Sequence, residues 1–306
     1  MAYYCAACGA RSTGPGPCGT DGRSMLSPPF GSLLGEQAGN FTLVEEIGAG
    51  GMGLVFRAMH PVLGKEAAVK VLHASCAADQ ASRARLLREA ELINRISTPR
   101  VPRVTDAGVL ADGRPWIAME LVRGQSLAAF IASERRPVVQ TAVAIVVDML
   151  DVISVAHGVG VVHRDLKPDN VVITAKGVCV LDFGIAKLLL DGNTAGLTST
   201  GARVGTPAYM APEQITGHPI DVRTDVYSAA VILYEMLAGE RPFRGSDFEI
   251  LSAHTETPPE PLRPRFPDVS LELESLVLAG LAKDPTRRFQ SARAMRTALG
   301  NVAMRL

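Results

Sequence analysis

The stretch His163-Arg164-Asp165-Leu166-Lys167-Pro168-Asp169-Asn170, followed by Asp182-Phe183-Gly184, decides how this chain is read. Residues 171–181, between the two motifs, read as two short strands around an Ala175-Lys176-Gly177 turn. Val171, Val172, Ile173, Val178, Val180 and Leu181 supply the β-branched and apolar content that a buried hairpin needs. Gly177 can take the positive φ of a tight reversal. An antiparallel hairpin returns its ends to one place, so Asn170 and Asp182 are expected side by side, with Asp165 a few residues away. A hard cation such as Mg²⁺ takes one or two protein oxygens and leaves the rest of its octahedron to phosphates and water. The residues therefore predict a site for a metal-bound phosphate.

Upstream, Ile47-Gly48-Ala49-Gly50-Gly51-Met52-Gly53-Leu54-Val55 reads as a glycine-rich hairpin between strands at 41–47 and 54–59. Glycines let backbone N–H groups approach phosphate oxygens with no Cβ in the way. Dinucleotide-binding folds use the same glycine spacing, but there the chain passes from strand to helix. Here Leu54-Val55-Phe56 continues as strand. Lys70 ends the run Ala67-Ala68-Val69-Lys70 of a further strand expected at 67–72. In the helical pattern at 82–96, Leu86, Glu89, Ile93 and Ile96 share a face. Glu89 thus lies in the apolar stripe, and an inward carboxylate needs a cation. Lys70 is the expected partner, held by Glu89 toward a nucleotide's phosphates. More strands are expected at 104–110 and 116–121, and mainly helices beyond Gly124.

Composition sets the bounds. The 306 residues carry 31 basic and 31 acidic side chains, so no net charge favours nucleic acid or an anionic membrane. With 47% hydrophobic residues, the chain can build one large domain or two lobes. The best candidate for a membrane span, residues 138–162, is interrupted by Gln140, Asp148, Asp151 and His157, so it reads as a buried amphipathic helix. The N-terminus has no basic start with an apolar run behind it. A cytoplasmic protein without a membrane segment is expected.

Assembled in this order, the motifs resemble those of the eukaryotic-type serine/threonine protein kinases, particularly the bacterial branch. The resemblance covers about residues 41–299. It implies an α+β, two-lobed protein kinase fold: a small antiparallel β-rich N-lobe with one main helix, then a larger, mainly α-helical C-lobe. The expected divisions are a cysteine segment at 1–22, a linker at 23–40, an N-lobe at 41–122, a C-lobe at 123–302 and a tail at 303–306. By resemblance, Asp165 orients and deprotonates a substrate hydroxyl, and Lys167 neutralises charge on the transferred phosphoryl group. Asn170 and Asp182 hold Mg²⁺ or Mn²⁺; Lys70 holds ATP phosphates and Glu89 holds Lys70. Gly48, Gly50 and Gly53 cover the triphosphate. Ile47, Val55, Ala68 and Val172 wall the adenine, Met119 guards the back of that pocket, and Glu120 to Val122 offer backbone hydrogen bonds. Thr206 resembles the residue that bonds the base and the lysine. Glu213 is expected to pair with Arg288, and Asp225 to brace the catalytic loop.

The acceptors implied are Ser/Thr hydroxyls of proteins. Arg164, beside the base, implies control by an anion on the activation segment, and Thr198 and Thr200 lie where bacterial relatives autophosphorylate. A homodimer for trans-autophosphorylation is therefore among the expected partners. Two alternatives share the fold. One is an ATP-binding pseudokinase scaffold, opposed by the complete set Lys70, Asp165, Asn170 and Asp182. The other is a small-molecule phosphotransferase, opposed by Ala211-Pro212-Glu213 and the long activation loop.

Cys5-Ala6-Ala7-Cys8-Gly9 and Cys18-Gly19-Thr20-Asp21-Gly22 read as two halves of a zinc knuckle, spaced C-x₂-C, nine residues, C-x₂-D. A two-residue gap places both ligands on one turn, and zinc accepts carboxylate oxygen beside thiolate. A structural Zn²⁺ on Cys5, Cys8, Cys18 and Asp21 is expected; the alternative is a thiol-bearing tail.

Overall fold

A computed structural model of the chain describes residues 3–27, 32–50, 53–73, 90–183 and 207–305. The chain divides into two compact units. Among the described residues, the first holds 3–94 and 102–122, and the second holds 95–101, 123–183 and 207–305.

The first unit is built on a six-stranded antiparallel sheet. Its strands are β3 (Gln37–Ala38), β4 (Phe41–Gly50), β5 (Gly53–Met59), β6 (Glu66–Leu72), β7 (Val104–Val109) and β8 (Pro115–Met119), in the order β3-β4-β5-β6-β8-β7. Alternation makes the sheet two-sided. Phe56, Ala58, Val69, Val71, Trp116 and Ala118 form one face of a core with Leu33, Ala38, Leu43 and Leu110. Tyr4, Val44 and Met59 form a separate apolar cluster. Two short strands precede the sheet, β1 (Tyr3–Tyr4) and β2 (Arg11–Ser12), paired antiparallel. Residues 90–94 are helical; the rest of the predicted helix at 82–96, Glu89 included, lies outside the described residues apart from 95 and 96.

The stretch expected as a linker behaves differently at its C-terminal end. Leu33 is 7% exposed, and β3 pairs with β4. Leu33 and Ala38 complete the sheet core with Leu34 packed against it, so the apolar residues of this stretch dock as their composition suggests, while a strand pattern of only two residues left β3 itself illegible.

The second unit is helical, with helices α1 (Leu127–Glu134), α2 (Val139–Gly158), α3 (Pro212–Thr216), α4 (Val222–Ala238), α5 (Asp247–Glu256), α6 (Leu271–Gly280) and α7 (Ala292–Ala303). α4 is its axis: every residue but Val222, Arg223 and Glu235 is buried. An all-round apolar helix of this kind has to sit inside a core, and α4 packs against α2, α6 and α7. α2 buries Val139, Ala142, Val143, Val146, Met149, Leu150 and Ile153 at helical spacing. It stops at Gly158, short of the predicted 162. Gly160, with φ +79°, donates to His157 O at 3.0 Å and turns the chain.

The hairpin of the opening motif is formed by β10 (Val171–Thr174) and β11 (Gly177–Val180), with Val171 opposite Val180 and Thr174 opposite Gly177. Gly177 has φ +104°, as the turn required. A strand that the sequence did not reveal, β9 (Gln125–Ser126), pairs with β10. A Cβ on Gly124 would lie 2.3 Å from Ile173 O, so glycine is what allows this approach.

Candidate functional site

In the second unit the loop at 163–170 is pinned from below by one buried carboxylate. Asp225 in α4 accepts the backbone N–H of His163 at 2.8 Å and of Arg164 at 2.9 Å. His157 Nε2 meets the same carboxylate at 2.7 Å. Burial opposes the charge on Asp225, but His157 and the loop amides overcome it and hold its carboxyl below the usual range. His157 is a supporting residue that sequence reasoning missed, because nothing in the helical pattern of α2 marks it as the partner of a carboxylate in α4.

The loop's other contacts follow from this anchor. His163 is fully buried; its Nε2 meets Leu181 O at 2.8 Å and its ring lies 4.7 Å from that of Phe183. Burial holds its pKa below the ordinary histidine value. Arg164 takes φ +64°, and its carbonyl accepts from Gln214 Nε2 at 2.7 Å. Gln214 is a second contributor that the sequence did not signal.

Asp165 is thereby presented at the loop's tip. Its Oδ2 lies 3.3 Å from Lys167 Nζ and 3.4 Å from Asn170 Nδ2. Asn170 Nδ2 also donates to Asp165 O at 2.9 Å, which leaves Oδ1 as the atom this amide offers a cation. Leu181 N donates to Asn170 O at 2.8 Å and closes the mouth of the hairpin, so Asp182, the next residue, follows directly on that closure. Asp182 takes φ +52°, a backbone state uncommon outside glycine and found at functional turns. Val172, 7% exposed, stands in β10 opposite Cys179.

Besides the brace by Asp225, the expected pair of Glu213 and Arg288 is observed. Arg288 Nη1 and Nη2 donate to Glu213 at 2.9 and 2.8 Å, with both side chains buried, and Thr224 donates to Glu213 at 2.7 Å.

In the first unit, β4 and β5 form the glycine-rich hairpin, with Gly48 opposite Val55 and Gly50 opposite Gly53. The three glycines are required for different reasons. A Cβ on Gly53 would lie 2.1 Å from Val71 O, so the sheet itself demands glycine there. A Cβ on Gly48 would make ordinary contact with Val55 at 3.7 Å, and one on Gly50 would meet nothing within 4 Å. Among the described residues nothing imposes those two, as expected if the demand comes from a ligand. Gly51 and Met52, at the tip, lie outside the described residues.

Register then places the remaining residues. Val55 is opposite Lys70, and Lys70 is opposite Ile117; Ala68 is opposite Met119. Opposed residues share a face and so do residues two apart, so Val55, Ala68, Lys70 and Met119 all belong to one face. Ile47 is 45% exposed at the hairpin's base. Glu120 N donates to Arg103 O at 3.1 Å, so that N–H is taken within the first unit. Val122 closes the unit. Glu89, Thr198, Thr200 and Thr206 lie outside the described residues.

The N-terminal cysteines form a second cluster, within the first unit. The Sγ atoms of Cys5, Cys8 and Cys18 and a carboxylate oxygen of Asp21 all lie within 4.8 Å of one another. Cys8 and Cys18 Sγ are 3.4 Å apart, and Cys5 Sγ is 3.4 Å from Asp21 Oδ2. The two half-motifs fold alike. Gly9 N donates to Cys5 O at 2.9 Å and Gly22 N to Cys18 O at 2.8 Å, with φ +76° and +71°. Cys5 N donates to Ala10 O, and Cys18 N to Arg23 O. Asp21 therefore occupies the backbone position that Cys8 holds in the first half. Burial pushes the Cys8 thiol up to about 12, while the Thr20 N–H draws Cys18 down.

The chain belongs to the protein kinase domain family, which matches residues 41–299. It is 42% identical over 287 residues to the serine/threonine-protein kinase pkn3 of Myxococcus xanthus, covering 90% of this chain and 52% of that protein. It is 37% identical over 267 residues to the serine/threonine-protein kinase PknB of Mycobacterium tuberculosis, covering 86% of this chain and 42% of that one. The chain thus spans about half or less of the length of these curated relatives. The crystal structure of the M. tuberculosis PknI kinase domain matches with a TM-score of 0.69 at 31% identity, covering 87% of this chain and 96% of that one.

Proposed function

We propose that this chain transfers the γ-phosphate of ATP to serine or threonine hydroxyls of protein substrates. One observation carries the reading: Asp165 is presented on a loop anchored to the buried Asp225, with Lys167 and Asn170 against its carboxylate. In-line phosphoryl transfer asks the protein mainly for position and charge. Asp165 takes the proton of the incoming hydroxyl, and Lys167 balances charge on the group in transit. The donor set suits Mg²⁺ or Mn²⁺: Asn170 offers Oδ1 and Asp182 a carboxylate, an all-oxygen pair of the kind hard cations take. When bound, the ion neutralises charge on phosphate oxygens. Gly48, Gly50 and Gly53 are assigned to the triphosphate, and Lys70, with Glu89, to its α- and β-phosphates. Thr206 is assigned to the base, and Thr198 and Thr200 to autophosphorylation between two copies of the chain.

α2 is long and apolar enough to cross a membrane, but half of its apolar window is buried inside the second unit. We assign it to the core, and the chain to the cytoplasm, where reduced thiols such as those of Cys5, Cys8 and Cys18 persist. At those thiols and Asp21 we assign a structural Zn²⁺. Tetrahedral zinc with thiolates at about 2.3 Å sets sulfurs about 3.8 Å apart, and all four ligand atoms already fall within 4.8 Å.

Transfer of label from γ-labelled ATP to a generic protein acceptor, followed by phosphoamino-acid analysis, tests the main reading. Label is expected on serine or threonine, and Asp165→Asn is expected to lose about 10³-fold in rate while still binding nucleotide. Equal rates in the two proteins would overturn it.

A further inference from the structure

Residues 3–26 have almost no core of their own. Cys5, Cys18 and Met25 are the buried members of the cluster, so two of the candidate metal ligands are themselves most of its interior. A segment this small holds a fold only with a staple. Yet it is joined to β5 at three places. Arg57 Nη2 donates to Ala6 O at 3.2 Å, while the same guanidinium donates to Glu45 of β4 at 2.7 Å and to Glu66 of β6 at 3.3 Å. Gly9 lies so close to β5 that a Cβ there would be 2.8 Å from Met59 Cβ. Tyr4, 4% exposed, packs with Val44 and Met59. Arg57 and Met59 alternate onto the same face of β5 as Val55. The knuckle therefore covers a continuation of the face that carries Val55 and Lys70.

We propose that the metal on Cys5, Cys8, Cys18 and Asp21 clamps residues 3–26 onto β5, so that its occupancy sets the stability of the first unit. The proposal rests on the zinc reading above. Metal binds the folded knuckle and not the unfolded segment, so its binding free energy is folding free energy. Arg57, Gly9 and Tyr4 carry that free energy into the sheet: an unfolded knuckle strips Tyr4 from Val44 and Met59 and takes away the Ala6 carbonyl, one of three acceptors of the Arg57 guanidinium.

The experiment uses the full chain free of nucleotide. Bound zinc is measured, and the thermal midpoint is recorded before chelation, after it and after zinc is returned. Cobalt(II) serves as a second probe through its thiolate charge-transfer band. One equivalent of zinc is expected, with a reversible fall of about 5 °C or more on chelation. Arg57→Met keeps the stem and removes the donors. It is expected to bind one equivalent of zinc and show the thiolate band, with a chelation shift no more than half as large. One bound zinc with an unchanged wild-type midpoint overturns the clamp and leaves the zinc site standing. Absence of zinc and of the cobalt band overturns both.

Discussion

Gly50 and Gly53 close the same hairpin and are required for opposite reasons. Gly53 is held by the sheet, because Val71 O occupies the place of its missing Cβ. Gly53→Ala is expected to destabilise the protein by about 2 kcal/mol or more, since a backbone atom has to move. A Cβ on Gly50 would meet no described residue within 4 Å, and Gly50→Ala is expected to leave stability within about 0.5 kcal/mol. The same variant is expected to raise KM for ATP several-fold. Urea denaturation and ATP kinetics on both variants check this; equal stability losses would show that the hairpin treats the two positions alike. The sequence displayed three glycines at a phosphate-loop spacing, but it could not separate them. That needed β6 alongside, because the obstruction at Gly53 comes from a neighbouring strand.

Arg288 joins three elements of the second unit. Its guanidinium donates to Glu213 in α3, to Arg223 O in α4 and to Lys283 O, and lies 4.8 Å from the Tyr227 ring centroid. Burial opposes the charge on Glu213, and Arg288 with Thr224 reverses the balance and holds its carboxyl below the usual range. Arg288→Met leaves a buried carboxylate without its cation, and a loss of about 3–5 kcal/mol is expected. Glu213→Gln added to it should recover part of that loss. A double-mutant cycle in denaturant measures both, and a single-variant loss below about 1 kcal/mol would contradict the geometry. The motifs around Glu213 and Arg288 were legible because each is locally distinctive. The place of Gln214 was not, since its bond to Arg164 O depends on how α3 meets the catalytic loop.

Across the second unit, acid sensitivity follows from histidines buried without charge. His254 is fully buried, with Nδ1 2.9 Å from Tyr227 OH and Nε2 3.1 Å from Ala208 O. Burial, with Lys283 nearby, lowers its pKa to about 4. The unfolded chain therefore binds a proton that the folded one refuses, and stability rises with pH through this window. Stability is expected to be full above about pH 6.5 and to fall by about 3 kcal/mol as pH drops toward about 4. His163, also lowered by burial, adds in the same direction. Denaturant midpoints from pH 7.5 to 4 check the slope, and His254→Gln should flatten it. A slope as steep in the variant as in the wild type would remove His254 as the cause.

The order of motifs, the hairpin and the residue types of the catalytic loop were written in the chain, because each depends on near neighbours: a turn glycine, an alternation, a charge two residues from another. The dock of residues 3–26 on β5, the hold of Asp225 and His157 on the loop, and the split between Gly50 and Gly53 were decided only by folding. In each of those the partner arrives from a distant part of the chain, and hydrogen-bond distance between such groups is a property of packed elements rather than of any stretch of sequence.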